Sequence, residues 1–137
     1  DNFEKGNPMG AEWTFSGNAN WMATQNMPQQ GVWASMNADI GDSQTATMQV
    51  TLNFVQAGTI SFWRRTSCET NWDFLRFFID GVQQQQWSGN LPWAQFQYNI
   101  TPGPHTFRWT YVKDSSVSSF EDTVYVDNIV TVGGVLP

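Results

Sequence analysis

The side chains best suited to chemistry in this 137-residue chain are carboxylates near its two ends. The stretch DTVYVDNIVTV, residues 122–132, is rich in Val, Ile, Tyr and Thr and reads as a strand, yet Asp127 and Asn128 sit side by side in its middle. Whichever alternate set faces a core, a polar side chain interrupts an apolar row, unless a bulge resets the register there. At the other end, DNFEKG offers Glu4 behind an apolar Phe3. Chain ends of compact domains often lie close together. Two carboxylates brought together repel unless a cation separates them, and an oxygen-only ligand set suits Ca²⁺. Asp42, in ADIGDSQ, is a further candidate ligand or a turn former. Without a metal, Glu4 stays an ordinary surface carboxylate and Asp127 caps a bulge by hydrogen bonds.

Catalytic constellations are poorly supported. His105 is the single histidine and opens a strand after Pro-Gly-Pro, with no Ser/His/Asp or Cys/His set around it. Carboxylate pairs for glycoside chemistry could be drawn from Glu69, Asp73, Asp80 and Asp114, but Asp80 and Asp114 sit in turn sequences. No enzymatic activity is expected. Cys68 is the sole cysteine, which forbids an internal disulfide and fits a small packed residue.

No 3.6-residue apolar period persists long enough for a helix. Short β-type runs recur instead, at 11–15, 20–24, 32–38, 45–54, 58–67, 73–80, 82–88, 93–99, 105–113 and 122–132, separated by Gly, Pro, Asn and Asp. That spacing predicts an all-β, two-sheet antiparallel sandwich formed as a single domain over residues 1–137. In FLRFFIDGVQQQQW, Asp80-Gly81 supplies the positive φ of a two-residue hairpin turn. The turn predicts Ile79 opposite Val82, Phe78 opposite Gln83, Arg76 opposite Gln85 and Phe74 opposite Trp87. Leu75, Phe77, Ile79 and Val82 then point inward, although Gln84 and Gln86 fall on that same side.

In GTISFWRRTS the alternation puts Ile60 and Phe62 inside and Trp63 and Arg65 outside, and in HTFRWTYVKD it leaves Arg108, Thr110 and Val112 outside. If these strands are neighbours, Trp63, Arg65, Phe74, Arg76, Phe78, Gln83, Gln85, Trp87 and Arg108 share one non-core face. Such a face could stack sugars on its rings and read hydroxyls with Arg and Gln, contact another protein chain, or be covered by the protein's own loops. Arginines among the aromatics would also suit acid groups on a polysaccharide, because the guanidinium fork binds carboxylate or sulfate in pairs of hydrogen bonds.

With Phe3-Glu4 at one end and Asp127 in the last strand, the sequence resembles the calcium-containing jelly-roll carbohydrate-binding modules, in which such residues hold a structural calcium. More broadly, IGDSQTATMQVTL, GTISFWRRTSCETNWDFLRFFIDG, SGNLPW, GPHTFRWTYVKDSSVS and DTVYVDNIV are similar to sandwich domains appended to secreted bacterial hydrolases and surface proteins. The resemblance implies a jelly roll, a structural Ca²⁺ and an extracellular carbohydrate-binding module that acts as a monomer. The competing expectation is a filament or surface-layer subunit that buries the same face against a neighbouring copy.

Composition weighs against a nucleic-acid partner. Twelve acidic against six basic residues give a net charge of −6, which disfavours nucleic acid or an anionic membrane surface as partner. No run approaches a membrane span, and no signal peptide is visible, so a start without Met suggests a mature or excised segment. Asn99-Ile100-Thr101 matches the glycosylation acceptor pattern.

Overall fold

The computed structural model describes residues 14–17, 21–24, 34–37, 45–68, 73–113 and 123–135. Among them run nine strands: β1 (Thr14–Gly17), β2 (Trp21–Thr24), β3 (Ala34–Asn37), β4 (Thr45–Ser67), β5 (Phe74–Ile79), β6 (Val82–Trp87), β7 (Asn90–Ile100), β8 (Gly103–Val112) and β9 (Thr123–Val135). Every pairing is antiparallel. One layer has the order β1-β4-β8-β5-β6, here the front sheet, and the other the order β7-β4-β9-β3-β2, the back sheet.

The two runs expected at 45–54 and 58–67 are one continuous strand, and β4 belongs to both sheets. Its first half, Thr45–Phe54, pairs with β8, and its second half, from Gly58 onward, pairs with β7. The chain bends between the halves, where Val55 is 69% exposed. Glycine is required at the bend, because a Cβ on Gly58 would lie 1.8 Å from the Val132 carbonyl oxygen.

Aromatic contacts between the sheets fill the core. Phe62 of the back sheet meets Phe77 of the front at 4.7 Å between ring centroids and Trp109 at 5.4 Å. Ala46, Met48, Val50 and Phe54 point inward from the first half of β4, and Ile60 and Phe62 from the second. The inward set expected on β8, Phe107, Trp109 and Tyr111, is fully buried.

The Asp80-Gly81 turn forms as the sequence predicts, with φ of 50° and 83°. Ile79 faces Val82 and Phe78 faces Gln83, but Val82, expected inward, is exposed beside the turn. The register then shifts, with Phe77 opposite Gln85, Arg76 opposite Gln86 and Leu75 opposite Trp87. A bulge at Gln84 therefore corrects the expected pairing of Arg76 with Gln85 and of Phe74 with Trp87. It also turns the Trp87 side chain into the core.

Asp127 and Asn128 lie at a second bulge. Ser61 pairs with Val130 and Trp63 with Asp127, so β9 carries one residue more than β4 between those points. Asn128 adopts φ 49°, a left-handed conformation that Asn tolerates better than most residues. The extra residue lets Val124, Val126 and Ile129 all be buried, although strict alternation would send Ile129 outward.

Candidate functional site

The front sheet presents a broad outer face built by period-two alternation. Across its strands Thr14, Gln49, Arg108, Phe78 and Gln83 form one row by register. Ser16, Thr47, Thr110, Arg76 and Gln86 form the next. Phe74 stands opposite Val112 in a third. Hydroxyl pairs stiffen this surface: Thr47 with Thr110 and Thr51 with Thr106, each at 2.9 Å between Oγ1 atoms.

Both outward arginines of this face rest on rings. The Arg108 guanidinium carbon lies 4.3 Å from the Phe78 centroid, and that of Arg76 lies 5.6 Å from Phe74. Arg76 Nε also donates to Gln86 Oε1 at 3.1 Å. Phe74, Arg76, Phe78 and Arg108 are half-buried, whereas Gln83 and Gln86 are exposed. The result is a platform of two rings and two guanidinium groups bordered by Thr and Gln, a combination that can stack apolar sugar faces and bond hydroxyls.

The platform unites five of the nine residues that the alternation groups together: Phe74, Arg76, Phe78, Gln83 and Arg108. Trp63 and Arg65 are not among them, because the second half of β4 lies in the back sheet. There Trp63 pairs with Gln95 and Asp127, and the Arg65 guanidinium carbon lies 4.5 Å from the Tyr125 ring, with Tyr125 fully buried. Trp87 is 6% exposed in the core and packs at a tilt against Phe96, with ring centroids 4.8 Å apart, so it is not a platform ring. Gln85 leaves the platform too, accepting a hydrogen bond from the Tyr98 hydroxyl at 3.2 Å.

Arg64 shares the even parity of Ile60 and Phe62 on β4. It points inward, its guanidinium between Trp87 and Phe96 at 5.6 and 5.2 Å, and it donates to the Pro92 carbonyl at 2.6 Å. Burial lowers its pKa. The platform positions beyond the sequence grouping are Gln86, Gln49 and the Thr rows, of which the alternation places Thr110 alone on the outside. Parity along β4 and β8 could have found the threonines, but Gln86 depends on the bulge at Gln84.

A second polar cluster closes the β5–β6 hairpin. Asp80 Oδ2 bonds His105 Nδ1 at 2.5 Å, and Asp80 Oδ1 accepts the Thr106 N–H at 2.8 Å. His105 Nε2 faces the Thr101 carbonyl at 2.8 Å. The Asp80 hydrogen bond holds the His105 pKa above the ordinary imidazole value. Desolvation acts to raise the Asp80 carboxyl, but the Thr106 N–H and His105 outweigh it and hold it below the usual carboxylate range. With its single histidine taken up in this way, the cluster is a clasp between strands.

For the metal expectation, Asp127 is the residue that can be located. Its side chain is fully buried on the outer side of the back sheet, and Oδ1 accepts the Asn128 N–H at 2.7 Å. Glu4 and Asp42 lie outside the described residues, as do Glu69 and Asp114. Among the described residues no three His, Cys, Asp or Glu side chains gather into a metal-binding group. A groove of about 480 Å³ at the β4 bend, lined by Ala57, Gly58, Thr59, Asn99, Ile100 and Thr101, is open and largely apolar. Asn99 and Thr101 of the acceptor triplet are both exposed there. No helix among the described residues is long and apolar enough to cross a membrane.

No protein-family model and no curated protein matches the sequence. Solved structures do match the fold. TmCBM61, solved with β-1,4-galactotriose, superposes with a TM-score of 0.69 at 13% identity, over 96% of this chain and 94% of its own. The K1 cleaved adhesin domain of Lys-gingipain from Porphyromonas gingivalis W83 gives 0.69 at 11% identity, over 97% of this chain and 96% of its own. The secreted serine protease VesC from Vibrio cholerae gives 0.63 at 10% identity over 73% of this chain, which spans only 21% of VesC. Further carbohydrate-binding modules share the architecture. The chain thus has the β-sandwich fold found in carbohydrate-binding modules.

Proposed function

We propose that this domain is a non-catalytic carbohydrate-binding module that holds an attached enzyme or surface protein on a polysaccharide outside the cell. The observation that carries the reading is the front-sheet platform, where Phe74 and Phe78 lie half-exposed among Arg76, Arg108, Gln83 and Gln86. A pyranose ring laid on Phe78 would place its hydroxyls within reach of the Gln and Thr rows. Similarity to TmCBM61 supports a carbohydrate ligand, and the small share of VesC that the chain spans supports an accessory position in a longer protein. The polymer would be neutral or acidic.

Affinity electrophoresis through gels containing β-1,4-galactan, xylan or polygalacturonate tests this. Retardation in at least one gel, abolished by Phe78→Ala in a folded variant, is expected. Unchanged mobility in every gel, and in one containing dextran sulfate, would retire the proposal.

A structural Ca²⁺ belongs to the same proposal. Asp127 fits as a ligand because it is a buried oxygen donor held in place by the Asn128 N–H. Glu4 and Asp42 are the partners proposed for it. When bound, the ion would tie β9 to the start of the chain. Chelation is expected to lower the melting temperature of the wild type and to leave Asp127→Asn unmoved; an EDTA-insensitive wild type would contradict this.

Similarity to the gingipain adhesin domain favours a second reading, a self-assembling or adhesive subunit whose platform packs against a neighbouring copy. Sedimentation separates the two: a monomer at micromolar concentration supports the module, and concentration-dependent polymers support assembly.

A further inference from the structure

Among the described residues, positive charge gathers on the front face without a carboxylate beside it. The whole protein has twice as many acidic as basic residues, yet the platform carries two arginines and, among the described residues, no carboxylate. Of the described carboxylates, Asp73 and Asp127 are fully buried elsewhere, and Asp80 is engaged by His105 and Thr106. Asp80 pairs with His105, and no described carboxylate lies on the rows that carry Arg76 and Arg108.

The two arginines are diagonal neighbours across β5 and β8. Arg76 stands opposite Thr110 and Phe78 opposite Arg108, a relation that separates two residues by roughly 7–8 Å. The Arg108 guanidinium carbon lies over the Phe78 ring, and its Nε is buried without a hydrogen-bond partner. A guanidinium held against a ring has lost water from that side, while its terminal N–H groups can still fork onto an oxyanion. Gln86 engages Arg76 at Nε alone, which leaves its terminal nitrogens available.

We infer that the platform is specific for an acidic polysaccharide, with Arg76 and Arg108 taking carboxylate or sulfate oxygens while Phe74 and Phe78 carry the sugar faces. This inference rests on the reading of the platform as a polysaccharide site. The protein's net charge of −6 repels a polyanion at long range, so retention by an acidic polymer requires a local cationic site of this kind.

Affinity electrophoresis with matched polymers tests it: polygalacturonate for carboxylates, dextran sulfate for sulfate esters, and β-1,4-galactan and dextran as neutral controls. At least one acidic polymer should retard the wild type far more than the neutral ones. Arg76→Gln with Arg108→Gln should weaken that retention by about tenfold or more, and added salt should weaken it as well. Melting temperatures confirm that the variant is folded. Which acidic gel retards the protein tells carboxylate from sulfate recognition. Equal retention by neutral galactan, unchanged in the double variant, would overturn the acidic specificity and leave the polysaccharide site standing. Free passage through all four gels would overturn both.

Discussion

The Arg108 guanidinium lies over the Phe78 ring at 4.3 Å, joining β8 to β5 across a register pair on the front sheet. The contact orders a long cationic side chain on a surface where it would otherwise sample many rotamers. Phe78→Ala should therefore do two things. It removes a ring from the sugar platform, and it frees Arg108, at a cost in stability of about 1 kcal/mol. Chemical denaturation read beside affinity electrophoresis should show that small loss together with a large loss of polymer retention.

Trp87 should behave in the opposite way. Its indole is buried against Phe62 and Phe96, so Trp87→Ala should cost about 3–5 kcal/mol. Trp87→Phe should cost less and leave polymer retention intact. A strong binding defect in a stable Trp87→Phe protein would place this ring on the platform after all.

The Asp80–His105 clasp makes stability depend on pH from both sides. His105 has a raised pKa when folded, so its contribution is fully present below the ordinary imidazole value of 6.5 and is lost as pH rises through the higher folded value. Asp80 has a lowered pKa, so its contribution is present above the ordinary 3.8 and is lost as pH falls through the lower folded value. The clasp is strongest between those two values. His105→Gln should flatten the decline in melting temperature on the alkaline side of the neutral range, and Asp80→Asn should flatten both flanks. An unaltered profile in His105→Gln would show that the clasp carries no pH-dependent stability.

Two backbone positions should be intolerant in distinct ways. Gly58→Ala drives a methyl into the Val132 carbonyl at the β4 bend, and should destabilise by roughly 3 kcal/mol. Asn128 holds φ 49° at the β9 bulge, so Asn128→Val should cost about 1–2 kcal/mol while Asn128→Gly is accommodated. Urea denaturation of the three variants would resolve that order.

Much of the fold was legible because local rules sufficed. Asp80-Gly81 marked its turn, and the polar interruption at Asp127-Asn128 marked its bulge. The passage of β4 between sheets was not legible. Inward residues occupy even positions on both sides of the bend, from Ala46 to Phe54 and again at Ile60 and Phe62, so the alternation carries no trace of the change of sheet. Gly58 was its one local mark. That is why Trp63 and Arg65 were grouped with a face they do not share. Trp87 was misplaced because one residue of slip at Gln84 exchanges the two faces of β6, and a run of four glutamines offers no apolar pattern to fix the register.

The front-sheet platform is tested most directly by amide and arginine Nε–H chemical-shift mapping of the labelled protein titrated with galacturonate oligosaccharides and, in parallel, galactan oligosaccharides. The account predicts shifts concentrated at Phe74, Arg76 and Phe78 of β5 and at Arg108 and Thr110 of β8. Shifts confined to the back sheet around Trp63 and Tyr125, or a spectrum unmoved by saturating concentrations of both, would contradict it.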